Sequence, residues 1–200
     1  MSSSILVVLL FIFVDRPTAS YFHQLDLHTK MPIWHWITIF GKWQIYVALF
    51  FIMGLFFRFV VKNPQAEKKS WFLFLCIVAS NFLCFVLKIS LSRARPELLF
   101  ANQEYGFYWF QLKDQYWSMP SGHALTISTL AAGLGVLFPS YYFLFFLVFL
   151  LVCASRVFLT FHYLSDVFTG FYLGVLVVGF IAHYLRSNYD TQIKGYKRRT

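Results

Sequence analysis

The chain has 200 residues, of which 59% are hydrophobic and only 12% charged, with 26 phenylalanines and a formal net charge of +9. Soluble domains run at about 45–50% apolar and roughly 25% charged, so a water-soluble globular fold is excluded and lipid is the solvent for most of the chain. The positive balance does not mark a nucleic-acid binder, because the lysines and arginines sit at the ends of apolar runs, where membrane topology places them, and gather on no amphipathic face.

An apolar run of about 20 residues is needed to cross the hydrocarbon core. The first run, Ile5 to Val14, falls short of that and stops at Asp15. It lacks the basic start and the cleavage site of a secretory leader. It reads as a short or tilted first span, with a half-inserted interfacial segment as the alternative. Met31 to Phe40, carrying Trp34, His35 and Trp36, reads as an interfacial stretch in the aromatic belt. Five fuller runs follow: Trp43 to Val61, Trp71 to Leu91, Met119 to Phe138, Tyr141 to Phe161 and Tyr163 to Leu185. The prediction is an all-α, polytopic membrane protein of six transmembrane helices, forming one domain over residues 1–200. Gly170 and Gly174 stand at a small-xxx-small spacing that serves close helix packing. Cys76, Cys84 and Cys153 all lie inside apolar runs and read as buried thiols, with no C-x-x-C pair for a metal.

Orientation follows from the basic residues between the runs. The loop Lys62 to Ser70 holds Lys62, Lys68 and Lys69, and the tail holds Lys194, Lys197, Arg198 and Arg199. The positive-inside rule puts both in the cytoplasm, together with both termini, and the tail can lie on anionic head groups. The outward segments are then Asp15 to Lys42, Ser92 to Ser118 and the tight turn around His162. The long segment Ser92 to Ser118 is rich in aromatics and reads as an interfacial anchor, with a lid or side wall for acyl chains as the alternative. Asp15 to Lys30, with His23, Asp26 and His28, lies on the same side, and a part in head-group selection is left open for it.

Charged groups at membrane depth are costly and need a reason. Three clusters remain once the cytoplasmic loops are set aside. They are Lys88 with Arg95-Pro96, the run Pro120-Ser121-Gly122-His123, and Ser155-Arg156 with His162 and Asp166. The predicted topology brings all three to the outward ends of their spans at one depth. Lys88, Arg95 and Arg156 supply fixed cations, and the arginine forks suit phosphate oxygens. Ser121 and Gly122 open a helix after Pro120, where free backbone N–H groups favour an anion. Two histidines then fill two roles. Asp166 stands four residues after His162, on one helical face with it. The carboxylate can hold one ring N–H and leave the other nitrogen free to attack phosphorus. His123, with no carboxylate near it in sequence, suits the general acid. Zinc on His123, His162 and Asp166 is disfavoured by the three cations.

These residues stand as K-x6-RP, PSGH and SR-x5-H-x3-D, and in that form the chain resembles the type 2 phosphatidic acid phosphatase superfamily. The resemblance implies a six-helix membrane fold and hydrolysis without a metal or other cofactor, through a phosphohistidine on His162. It implies Asp166 as partner and His123 as general acid. Lys88, Arg95, Ser121, Gly122, Ser155 and Arg156 would bind phosphate. The expected partners are a membrane lipid phosphate substrate and the lipid bilayer, with no nucleic acid and no obligate protein partner. Hydropathy separates the chain from the soluble vanadium haloperoxidases that share the motifs. The bare layout is similar to bacterial inner-membrane enzymes acting on the periplasmic side: lipid A 1-phosphatases first, then undecaprenyl pyrophosphate and phosphatidylglycerophosphate phosphatases. Phosphoryl transfer to a second lipid uses the same residues and stays open. A non-covalent anion carrier is the reading from another class.

Overall fold

The computed structural model describes the backbone of residues 2–197 and the side chains of residues 3–187. The basic tail Lys194, Lys197, Arg198 and Arg199 lies outside the described side chains. Among the described residues the secondary structure is helical, apart from a single antiparallel bridge between Arg93 and Phe107. Five helices are long and apolar enough to cross a membrane: α1 (Ser3–Leu25), α3 (Trp43–Val61), α4 (Pro64–Leu91), α7 (Pro139–Phe158) and α8 (Leu164–Lys197, apolar to Ser187). A shorter apolar helix, α6 (Gly122–Leu137), stands among them, and short helices α2 (Ile33–Ile39) and α5 (Pro96–Asn102) cap the same end. Phe82, Phe143 and Phe180 are 69%, 76% and 73% exposed, which only a lipid solvent tolerates.

Two helices begin or end where the sequence did not point. The first does not stop at Val14. It passes through a π-helical turn, Leu10–Val14, just ahead of Pro17, and runs on to Leu25. Asp15, the charge that cuts the apolar run in sequence, is fully buried within it. The stretch Lys62 to Ser70, read as a loop, is mostly helix. Asn63 caps α4 by accepting from the backbone N–H groups of Gln65 and Ala66, both at 3.1 Å, and Pro64 takes the first position, an arrangement pre-organised for a helix start. The connection from α3 is thereby reduced to Lys62, in the left-handed region at φ 56°, and Asn63.

The core gathers around α6. One apolar cluster joins Ala124 and Ile127 of α6 to Phe149, Val152, Cys153 and Val157 of α7 and Val167 of α8. Against α8, small residues let backbone approach backbone. A methyl group at Gly170 would lie 2.6 Å from the Ser121 carbonyl oxygen, and one at Gly174 would strike Ser128 and the Leu125 carbonyl. This contact lays the start of α6 against the start of α8. Pro120 and Pro139 bound α6, so the predicted span Met119 to Phe138 shrinks to 16 residues, about 24 Å of rise, and its first turn lies close against the head of α8. The three cysteines are buried and unpaired. The aromatic segment after α4 divides in two. Tyr105 and Phe107 stack on Phe11 of α1, with centroids 4.9 and 5.4 Å away, while Trp109, Phe110 and Leu112 stand exposed at its tip.

Candidate active site

The second and third sequence clusters are bonded directly, through Ser121 and Asp166, and the first is tied to them through Arg93, which stands between Lys88 and Arg95. Ser92 closes α4 in the left-handed conformation, its N–H donating to the Lys88 carbonyl at 2.9 Å, and turns the chain so that Arg93 points inward. The N–H of Ser121 donates to the backbone carbonyl of Asp166 at 3.0 Å, which ties the head of α6 to α8. Lys88 Nζ donates to the Trp117 carbonyl at 2.5 Å, and Arg95 Nε to that of Asp114 at 3.0 Å. Arg156 NH1 donates to Thr38 Oγ1 at 2.6 Å, and its guanidinium lies 4.5 Å from the Phe161 ring. Among the described residues none of Lys88, Arg95 and Arg156 makes an ion pair. Ser121 Oγ and Arg156 Nε are buried with no hydrogen-bond partner. Gly122 faces Lys88 and Cys84, with room for a Cβ at 3.8 Å from Lys88 Cε. The first N–H groups of α6 have no acceptor within the helix. Ser155 differs from these: its hydroxyl donates to the Val152 carbonyl of its own helix at 2.6 Å.

His162 lies in the turn between α7 and α8 and is 4% exposed. Its Nδ1 is 2.8 Å from the Ser118 carbonyl oxygen and 3.7 Å from Asp166 Oδ2. The sequence places the carboxylate directly on the ring, whereas here Ser118 intervenes. Ser118 Oγ donates to Asp166 Oδ2 at 2.5 Å, and the Tyr163 N–H donates to the same oxygen at 2.9 Å. Asp166 is thus already occupied, and it holds the residue whose carbonyl holds the imidazole. With its proton on Nδ1, the ring keeps Nε2 free. Burial, and then the charges of Arg95, Arg156 and Lys88, push the His162 pKa well below the ordinary imidazole range, so the ring is neutral near pH 7. Those three cations and His123 all lie within electrostatic range of His162.

His123, on the first turn of α6, is pressed by Gly41. A methyl group on Gly41 would lie 2.6 Å from both Cβ and Cδ2 of His123. Thr38, in the stretch Met31 to Phe40 read as an interfacial belt, and Gly41 just after it therefore brace Arg156 and His123 respectively.

The sequence reading missed a buried ionic network behind Asp166. Arg93 is 0% exposed. Its NH1 donates to Asp166 Oδ1 at 2.5 Å and to Ser165 Oγ at 2.6 Å, and its NH2 to Asp15 Oδ2 at 2.7 Å. The Ser165 N–H donates to Asp15 Oδ1 at 2.9 Å. Tyr163 covers the guanidinium at 4.3 Å, with Phe11, Tyr105 and Phe107 around it. Burial works against the Arg93 charge, but Asp166 and Asp15 outweigh it and raise its pKa further. One signal was available: Asp15 and Arg93 are charges near membrane depth, and each demands a partner.

A cavity of about 460 Å³ runs along α4 between Trp43, Phe82, Phe85 and Val78, and it reaches Lys88 and Gly122. Among the described residues no three histidine, cysteine or acidic side chains are grouped so as to hold a metal ion.

The sequence model of the PAP2 superfamily matches residues 69–190. A lipid A 1-phosphatase of Rhizobium johnstonii is 31% identical over 148 residues, 69% of this chain and 61% of that protein. A lipid A 1-phosphatase of Rhizobium etli is 33% identical over 115 residues, 56% of this chain and 50% of that protein. The chain thus spans about half to three fifths of the length of these relatives. The crystal structure of a transmembrane PAP2-type phosphatidylglycerolphosphate phosphatase from Bacillus subtilis superposes with a TM-score of 0.56 at 19% identity, over 93% of this chain and 95% of that one, which establishes likeness of fold.

Proposed function

The chain belongs to the PAP2 superfamily, and from that premise we propose that it hydrolyses a membrane lipid phosphate through a phosphohistidine on His162. The observation that carries this reading is a set of three cations, Lys88, Arg95 and Arg156, none of which makes an ion pair among the described residues, gathered on a buried neutral histidine. Unpaired charge beside lipid is expensive, and a phosphate dianion supplies the missing counter-charge. Buried Ser121 Oγ and Arg156 Nε, both without partners, offer two further donors to its oxygens. The apolar cavity that reaches Lys88 and Gly122 suits the chain that makes the phosphate a lipid.

Catalysis then follows from position. Nε2 of His162 attacks phosphorus in line, forming the P–N bond as the P–O bond to the lipid breaks. His123 gives its proton to the departing oxygen. Lys88, Arg95 and Arg156 stabilise the charge on the equatorial oxygens. Water, deprotonated by His123, next attacks the phosphohistidine, breaking the P–N bond and releasing phosphate. The Ser118 carbonyl keeps the ring proton on Nδ1, and Asp166 acts through Ser118.

The positive-inside rule supports an outward-facing site, because Lys62, Lys68 and Lys69 lie at the opposite ends of α3 and α4. Lipid A 1-phosphate is the first substrate to try, in line with the names of the two relatives. The test is phosphate release by the purified full chain in excess EDTA across lipid A, undecaprenyl pyrophosphate, phosphatidylglycerophosphate and phosphatidic acid. Release from at least one lipid that persists in chelator is the expected result. Release that vanishes with EDTA and returns with a metal overturns the mechanism. A second expectation concerns Gly41. Alanine there drives a methyl group into His123, and displacing a catalytic ring by a fraction of an ångström to 1 Å lowers the rate by roughly 10²-fold. Steady-state kcat of Gly41→Ala at unchanged detergent-solubilised Tm checks it.

A further inference from the structure

A cavity of about 310 Å³ opens where the end of α3, the start of α4 and the end of α6 meet, a size at the lower edge of the roughly 300–1,000 Å³ of small-molecule sites. These are the opposite helix ends from those that carry Lys88 and His123, and the positive-inside rule assigns them to the cytoplasm. The interior is apolar. Phe50 and Leu73, 6% and 4% exposed, line it with Leu134 and Leu137 of α6. The packing beside it is tight, since a methyl group on Gly133 would lie 2.8 Å from Leu73 Cδ2.

The mouth has a different chemistry. Asn63, Gln65 and Lys69 line it and are exposed. Residues 57–70 hold four cations, Arg58, Lys62, Lys68 and Lys69, against one carboxylate, Glu67. Glu67 is taken by Arg58 at 3.5 Å. Lys62, Lys68 and Lys69 make no ion pair among the described residues. Of the three, Lys69 lines the cavity, with its ammonium 4.8 Å from the centroid of the Phe138 ring, which also lines it. A wholly apolar occupant leaves that ammonium without a counter-charge, and a free anion leaves the apolar walls unfilled. An amphiphile with a negative head answers both, because a lysine ammonium is a point charge that takes a phosphate oxygen. Basic pockets between spans on the cytoplasmic side take acidic lipid head groups in this way.

We propose that this cavity binds an anionic phospholipid of the leaflet facing the lysines, with the phosphodiester on Lys69 and the first part of one acyl chain between α3, α4 and α6. The site is distinct from the phosphate cradle and does not depend on the phosphatase reading. A lipid held there bridges three helices and binds the folded chain alone, so it stabilises the fold by mass action.

Native mass spectrometry of the purified full chain in lipid-free detergent, titrated with phosphatidylglycerol, measures the affinity. Lys69→Gln is expected to weaken it about fivefold or more, the worth of one ammonium at an anionic lipid surface. Lys68→Gln removes the same charge one residue away, outside the cavity lining, and stays close to wild type. Ala66→Leu fills the lining with every charge intact, in a residue type that suits a helix, and it also weakens binding. Phosphatidylglycerol at ten times its Kd raises the wild-type Tm by ~3–5 °C, and the same concentration raises that of Lys69→Gln by less. Lipid held at the phosphate cradle is common to all these proteins and drops out of the comparison. Equal losses in Lys68→Gln and Lys69→Gln reduce the effect to diffuse charge attraction. Equal affinity for phosphatidylcholine makes the cavity an apolar groove only, and displacement by glycerol 1-phosphate makes it a free-phosphate site. Each of these results overturns the proposal, as does unchanged binding in Ala66→Leu.

Discussion

His162→Ala is expected to abolish phosphate release from every lipid that the wild-type chain hydrolyses, by roughly the 10⁴- to 10⁶-fold that follows removal of a catalytic nucleophile. The substitution removes the free Nε2 while sparing Lys88, Arg95, Arg156 and Ser121, so lipid binding survives it. It also leaves the Ser118 carbonyl without its donor, at a cost of about 1–3 kcal/mol, which a helical membrane protein of this size withstands. The trapping experiment gives the sharper readout. Wild-type protein quenched during turnover of ³²P-labelled lipid carries acid-labile, base-stable label on His162, and the variant carries none. His123→Ala is expected to behave differently, since in the proposed mechanism His123 protonates the leaving oxygen. Its rate falls on lipid substrates but recovers in part on an aryl phosphate, whose leaving group needs no proton. Label on a residue other than His162, or a His162→Ala variant that keeps more than a few per cent of the activity, removes the nucleophile from the scheme.

The features legible in the sequence were those with a local signature. Apolar runs marked the helices, because a span must be continuous to satisfy its own backbone in lipid. Gly170 and Gly174 marked the helix contact that sets α8 against α6, and Lys88, Arg95, His123, Arg156 and His162 marked a convergent site, because polar groups at that depth have no bland explanation. Other features carried signals that pointed the wrong way. Asp15 ends an apolar run, yet it sits inside α1, since its partner Arg93 is 78 residues on. Lys68 and Lys69 looked like a loop, though Asn63-Pro64 is itself a helix-start signal and the lysines ride on the first turns of α4. The Ser118 carbonyl between Asp166 and His162 had no signature, because the i, i+4 spacing describes side chains and the backbone segment that intervenes comes from another part of the chain. Gly41 against His123 was likewise invisible, a contact between a short interfacial turn and a motif more than eighty residues later.

The buried network makes the second large effect. Arg93 touches no part of the phosphate site as placed here, yet it links Asp15 of α1, which lies outside the residues matched by the superfamily, to Asp166. Arg93→Met is expected to destabilise the protein by about 3–5 kcal/mol, the usual penalty for stripping one partner from a buried pair, because two carboxylates are left facing each other at zero exposure. Thermal unfolding in detergent reads this directly. Arg93→Lys separates structure from positioning. It keeps the charge but has one ammonium in place of a planar fork, and it cannot reach Asp15 and Asp166 with paired, fixed donors. Asp166 then loosens, and with it Ser118 and the tautomer of His162. That change falls on the chemical step, so kcat drops by about 10- to 100-fold while KM stays near the wild-type value. In the proposed cradle Arg95→Lys and Arg156→Lys act on the phosphate itself and are expected to raise KM. Asp15→Asn gives the intermediate case: the Arg93–Asp166 pair survives, the tie to the first helix weakens, and both stability and kcat fall by less than in Arg93→Met. If Arg93→Lys instead raises KM as the cradle variants do, Arg93 contacts the substrate and the network is part of the phosphate site. If it changes neither constant, Asp166 is held by Ser118 and Tyr163 alone, and the first helix has no part in aligning His162.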